Sequence, residues 1–153
     1  DIVDALLKNG AEINCIASTD QTTALVLASH HGDPKMVQLL ISSGANVNHE
    51  NGYGNTALHE ACHYGHFEAA QALLQAGASI RNKPNHKGST ALHIFCLGED
   101  SKTHTKALMN LLVDAGADLD AVDKRGATPL LICCASGRVD LMDILLSNGA
   151  NLD

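Results

Sequence analysis

At 153 residues and 45% apolar side chains, the chain is long enough for one domain with a buried core. Aromatic residues make up only 3%, with no Trp, so that core must be built from Leu, Ile, Val, Ala and Cys in thin, closely packed layers. The net charge of −7 opposes nonspecific attraction to nucleic acid or anionic membranes, and no apolar run approaches the roughly 20 residues of a membrane-spanning helix.

In chain order, residues 1–7 (DIVDALL) read as an apolar helix stopped by Gly10-Ala11, the second half of a helical pair whose first half is missing. TTALVLASHHG (22–32) then places Thr23 at a helix start, where its hydroxyl can serve the free N–H groups of the first turn. Gly32 ends that helix in the left-handed conformation. MVQLLIS (36–42) follows as a second, more apolar helix ending at Gly44-Ala45, and NVNHENGYGN (46–55) is polar and turn-rich. The same phrasing returns at NTALHEACHYG (55–65), STALHIF (89–95) and ATPLLICCASG (127–137), each followed by an apolar helix and Gly-Ala. The recurring threonines, Thr23, Thr56, Thr90 and Thr128, are 33, 34 and 38 residues apart. The distance from Thr to the Gly of Gly-Ala is 21 residues in three units and 26 in the third. That difference marks an insertion near 98–104, whose Gly, Glu, Asp, Ser, Lys and Thr residues predict an exposed loop. Helices are expected over 24–31, 34–43, 57–64, 67–76, 91–97, 105–115, 129–136 and 139–148. Periodicity of this kind belongs to stacked units, each unable to bury its apolar face alone.

These motifs resemble the ankyrin repeat. GNTALHEACHYGHFEAAQALLQAGASI (54–80) follows that family's Gly-x-Thr-Pro-Leu-His pattern, glycine-ended first helix, Leu-rich second helix and Gly-Ala close. The resemblance covers the whole chain: a partial unit at 1–17, then units at 18–50, 51–84, 85–122 and 123–153, together one domain. It implies an all-α solenoid of stacked helix-turn-helix units with β-hairpin-like fingers. Alanine stands for the motif proline at Ala24, Ala57 and Ala91, and Val26 and Leu131 stand for the motif histidine. The half unit at the start, and an end at Asn151-Leu152-Asp153 where another finger would begin, suggest part of a longer array.

One stretch spells different chemistry. His59-Glu60-Ala61-Cys62-His63 satisfies the H-E-x-x-H pattern of zinc proteases. Within the repeat, however, His59 takes the motif-histidine place and faces the Thr56 cap, whereas His63 faces the groove, so a shared metal is not expected and no third ligand is evident. His30, His31 and His63 end neighbouring first helices and could at most take up metal fortuitously. No nucleophile-base pair, phosphate-cradling loop or carboxylate pair occurs, so neither catalysis nor a cofactor is expected. The five cysteines contain no C-x-x-C pair and read as free thiols of a reducing, intracellular setting, cytoplasmic or nuclear. Cys62, Cys96 and Cys134 share one place in successive units and are expected to form a buried column.

The resemblance implies a non-catalytic scaffold that binds a partner protein, rather than nucleic acid or a membrane, through its concave face. In the family, contacts come from finger tips and first-helix ends. By position these are His30, His31, Tyr53, Asn55, His63, Tyr64, His86, Lys87, Lys124 and Arg125. Tyr and Arg are favoured interface anchors, and the cations suit a partner with acidic and apolar residues. Histidine changes charge between about pH 5 and 8, so such binding should tighten as pH falls. An alternative is the substrate-recruiting ankyrin module of a ubiquitin ligase adaptor, which a ligase-binding box elsewhere in a parent sequence would decide.

Overall fold

A computed structural model of the chain describes residues 9–16, 19–80, 84–98 and 104–152. The helix expected over 1–7 and the body of the insertion, 99–103, lie outside these residues. The described chain forms helices α1 (Ala24–His31), α2 (Pro34–Ser42), α3 (Ala57–His63), α4 (Phe67–Gln75), α5 (Ala91–Leu97), α6 (Thr105–Asp114), α7 (Pro129–Ser136) and α8 (Val139–Ser147). Each lies within a residue of its expected bounds. The odd-numbered helices pack in one row and the even-numbered helices in a second. In the third unit α5 and α6 approach each other less closely than the pairs of the other units, as expected where extra chain separates them.

The core is one layer between the rows. Leu25, Leu58 and Leu92 from the first helices meet Val37, Leu73, Leu108, Leu112, Leu141 and Leu145 from the second, all essentially without solvent contact. Ala57, Ala61, Ala69, Ala70 and Ala91 fill the closest approaches, which explains how a chain so poor in aromatics still encloses a core. No helix is long and apolar enough to cross a membrane among the described residues.

Thr56, Thr90 and Thr128 cap their first helices as their sequence positions require, whereas the cap expected from Thr23 is not made; the histidine does more than its spacing reveals. In the second unit Thr56 N–H donates to His59 Nδ1 at 3.2 Å, and His59 Nε2 lies 3.2 Å from the Ser89 carbonyl of the next unit. In the third, Thr90 N–H donates to His93 Nδ1 at 3.2 Å, and His93 Nε2 lies 3.0 Å from the Ala127 carbonyl. Because Nδ1 accepts, the proton sits on Nε2, and each neutral ring both closes a cap and ties two units together. His59 and His93 are 1% and 0% exposed, so both rings are buried within the stack. Burial holds the His93 imidazole below its ordinary value, against the opposing influence of the Ala127 carbonyl, Asp123 and Asp118. In the first unit Val26 cannot take this part, and Thr23 Oγ1 is buried with no hydrogen-bond partner among the described residues.

The second, third and fourth fingers are turns, organised by an Asn or Asp five residues before Thr56, Thr90 and Thr128. Asn51 Oδ1 accepts from the N–H groups of Tyr53 and Asn55, Asn85 Oδ1 from Lys87 and Ser89, and Asp123 Oδ1 from Arg125 and Ala127, all between 2.8 and 3.0 Å. The backbone N–H groups of Ala127 and Arg125, with the Arg125 guanidinium, hold the Asp123 carboxyl below its ordinary value against the effect of burial. Two residues before each Thr the backbone turns left-handed, at Gly54, Gly88 and Gly126. In the first finger that place belongs to Gln21, at φ 55° the one non-glycine residue with positive φ among those described. A left-handed L-residue costs roughly 1–2 kcal/mol, and part of that returns as the greater freedom of glycine in the unfolded chain. Gln21→Gly should therefore stabilise the protein by about 0.5–1 kcal/mol in urea denaturation. Gly54→Ala should destabilise it, since a Cβ there would lie 2.7 Å from the His86 backbone nitrogen.

Candidate functional site

Successive fingers are joined by one backbone hydrogen bond each. Gly52 N–H donates to the Asp20 carbonyl at 2.6 Å, His86 N–H to Tyr53 at 3.0 Å, and Lys124 N–H to Lys87 at 3.0 Å. This ladder, with the Asx turns beneath it, fixes Tyr53, Lys87 and Arg125 in one row at the finger tips. A second row comes from the first helices. The residues four and seven after each Thr lie one turn apart on the same face. They read Leu27 and His30 in the first unit, Glu60 and His63 in the second, and Ile94 and Leu97 in the third. Between the rows runs a groove containing two adjoining cavities. The larger, about 640 Å³, is lined by Tyr53, Asn55, Glu60, His63, Asn85, His86, Lys87, Ser89, Ile94, Leu97, Lys124 and Arg125. The smaller, about 290 Å³, is lined by Asp20, Thr22, Val26, Leu27, His30, His31, Asn51, Tyr53 and Glu60.

Of the residues singled out from sequence, Tyr53, Asn55, His63, His86, Lys87, Lys124 and Arg125 line the larger cavity, and His30, His31 and Tyr53 line the smaller. Tyr64 lines neither; its ring sits against His30 at 4.4 Å and His63 at 4.7 Å, bracing the helix ends. Tyr53 is 67% exposed and offers most of its ring to solvent. Arg125 Nε lies 3.5 Å from Asp123 Oδ2, and the carboxylate anchors the guanidinium at its finger. Sequence reasoning missed Glu60, Ile94, Leu97 and Leu27. The signal for Leu27, Glu60 and Ile94 was their place four residues after each Thr, one turn before the helix ends.

The H-E-x-x-H histidines have separate surroundings. Both ring nitrogens of His59 serve the Thr56 cap and the Ser89 carbonyl, whereas Glu60 turns into the groove beside Asn55 and His30. The spelling is a by-product of the repeat register. His66 is also structural, its Nε2 lying 3.1 Å from the His30 carbonyl at the end of α1. Arg138 holds the same place after the helix-ending glycine two units later. It donates through Nη1 to the Phe95 and Gly98 carbonyls at 3.1 and 3.0 Å, with its guanidinium 5.5 Å from the Phe95 ring centre.

The expected cysteine column is corrected at its last member. Cys62 and Cys96 are buried, but Cys134 is exposed and Cys133 is buried instead. The thiol that meets Cys96 in the next unit is thus Cys133, five residues after Thr128 rather than six. Burial pushes the Cys62 thiol far up. The hydrogen bond to Cys133, with burial, raises Cys96, and the same bond lowers Cys133.

Comparison with known proteins agrees with this architecture. A family profile described as ankyrin repeats (3 copies) matches residues 1–84 and 79–153. The chain belongs to the ankyrin repeat family. Similar proteins include the B-cell lymphoma 3 protein homolog of Mus musculus, 33% identical over 97% of this chain and 33% of the relative's length. An ankyrin repeat protein of fowlpox virus is 31% identical over 100% of the chain and 45% of its own length. The target of rapamycin complex 2 subunit AVO2 of Saccharomyces cerevisiae is 32% identical over 97% of the chain and 34% of its own length. The chain thus spans less than half the length of each of these relatives. Ankyrin repeats are in general a protein-binding fold.

Proposed function

We propose that the chain is a non-catalytic interaction module that binds a segment of a partner protein in the groove between its finger tips and first helices. The observation that carries this reading is the larger cavity. It combines an apolar floor of Ile94 and Leu97 with a cationic rim of Lys87, Lys124 and Arg125, on a protein whose overall charge is −7. Leu97 is 46% exposed and Tyr53 67%, so apolar surface is presented to solvent next to the charges. Apolar anchors within a polar rim are what protein interfaces use. The complementary segment is acidic and carries apolar side chains that fill the floor. A relative that is a complex subunit, AVO2, is in keeping with a binding role. Buried free thiols at Cys62, Cys96 and Cys133 support operation in a reducing compartment of the cell.

Panning a random peptide library on phage against the whole chain tests the reading while the partner is still unidentified. Selected peptides should be acidic and apolar, lose at least tenfold in affinity to Lys124→Glu/Arg125→Glu or Tyr53→Ala/Tyr64→Ala, and bind Gln71→Ala/Gln75→Ala unchanged. Their affinity should fall with added salt, because exposed charges are screened over roughly 8–10 Å. Peptides that depend on Gln71 and Gln75 but ignore the groove variants would overturn it.

A further inference from the structure

The two cavities share a wall made by Tyr53 and Glu60, and they differ in charge on either side of it. Towards units three and four the rim carries Lys87, Lys124 and Arg125, and among the described residues Glu60 is the single carboxylate in that lining. Towards unit one the lining has no Lys or Arg among the described residues; it has Asp20, Glu60, the apolar Val26 and Leu27, and the histidines His30 and His31. Glu60 itself is largely withdrawn from water, its side chain 13% exposed. Oε1 accepts from Asn55 Nδ2 at 3.0 Å and Oε2 lies 3.3 Å from His30 Nδ1. Neither neighbour is a fixed cation, and a carboxylate has lone pairs for further donors. A carboxylate that loses hydration costs free energy unless a charge or donors compensate. A bound segment that covers Glu60 is therefore favoured when it brings a cation to it.

Resting on the reading of the groove as the partner surface, we infer that the groove is bipolar: it takes an extended segment with a Lys or Arg at Glu60, an Asp or Glu at Lys124 and Arg125, and apolar residues between. The spacing follows from the stack. Glu60 is in unit two and Lys124 in unit four, two helix-to-helix steps of about 8–10 Å, or roughly 16–20 Å in all. At about 3.3 Å per extended residue, the two charges of the segment stand five to six residues apart. The Ile94 and Leu97 floor lies between them and receives the apolar side chains. The partner motif is thus a cation and an acid separated by four or five residues that include at least two large aliphatic side chains. An all-acidic segment would satisfy the finger rim yet place a like charge against Glu60.

Fluorescence anisotropy with synthetic 12-residue peptides and the whole chain tests this. The first peptide carries Lys and Glu six residues apart around two leucines, and is made in both chain directions. The second has that Lys replaced by Glu, and the third has Lys and Glu adjacent. One direction of the first peptide should bind at least tenfold more tightly than the second and third. Glu60→Gln, which keeps the shape and the Asn55 contact, should remove that preference, whereas Lys124→Glu/Arg125→Glu should weaken the first and second peptides alike. If the second peptide binds as tightly as the first, or Glu60→Gln leaves the preference intact, the bipolar assignment fails while the groove reading stands. Binding of every peptide that ignores both groove variants, or no binding at all, overturns the bipolar assignment, and indifference of library-selected peptides to the groove removes the reading beneath it.

Discussion

His93→Ala should destabilise the protein by about 3 kcal/mol, in equilibrium unfolding by urea, with no change in slope. The side chain is fully buried, closes the Thr90 cap and bridges to the Ala127 carbonyl. Losing a cap costs about 1 kcal/mol. Leaving a buried carbonyl or N–H without its partner costs roughly 1–3 kcal/mol more. Unit one supplies a natural comparison, because Val26 already stands at this register with a bare Thr23 hydroxyl beneath it. His93→Val should therefore fall between wild type and His93→Ala, keeping the packing while losing both polar links. Leu131 has the same register in the fourth unit but is 54% exposed, so Leu131→Ala should change stability by less than about 0.5 kcal/mol.

The same residue sets a pH dependence. Burial depresses the folded-state pKa of His93, so between that value and the unfolded value near 6.5 the unfolded chain binds the extra proton. Its stability contribution is fully present above about pH 6.5 and is lost as pH falls through the window below it. Asp123 and Asp118 face the ring and oppose this depression, and the Asp123 carboxyl is itself held below its ordinary value by the Ala127 and Arg125 backbone N–H groups. In His93→Val the loss of stability between pH 6.5 and 5 should be shallower than in wild type. An unchanged slope would remove His93 as its source.

Arg138→Met should cost about 2–3 kcal/mol. Arg138 is 7% exposed, and one nitrogen of its guanidinium donates to both the Phe95 and Gly98 carbonyls at the end of α5. Hydrogen bonds from a charged donor contribute about 1.5–3 kcal/mol, and a cation at a helix C-terminus also opposes the negative end of the dipole. Methionine keeps the hydrophobic volume beside Phe95 while removing every donor, so the measured loss isolates the polar contribution. Arg138→Lys should recover part of the stability, because one ammonium can still reach a carbonyl but lacks the planar fork. Amide exchange should accelerate first around α5 and α7, whose joint this residue spans. A uniform change along the stack, or none, would contradict the role.

The repeat made the helices legible because its punctuation recurs: Thr before each first helix, Gly within two residues of each helix end, and small or Leu-rich faces between. The finger geometry was less legible. The Asn51, Asn85 and Asp123 turns are spaced as regularly as the threonines, but their meaning lies in backbone N–H groups that sequence does not display. The same holds for Arg138, whose partners lie some 40 residues earlier and whose register matched His66 without matching its chemistry. In the groove the finger-tip cations and tyrosine were readable from position. Glu60 and Ile94 were not, because they sit a turn before the helix ends, and Leu97 reads in sequence as one more core leucine. Cys134 misled through its register, since in the fourth unit the buried thiol stands one residue earlier.

If partner segments lie between the finger tips and the first helices, they must perturb the backbone there and leave the second helices alone. Backbone amide shifts of the ¹⁵N-labelled chain, followed while a library-selected peptide is titrated in, report this residue by residue. The largest changes should fall at Tyr53, Glu60, His63, Lys87, Leu97 and Lys124, with Gln71, Gln75 and Asn110 on the second helices unmoved. Changes centred on α4 and α6, with the finger amides still, would contradict it.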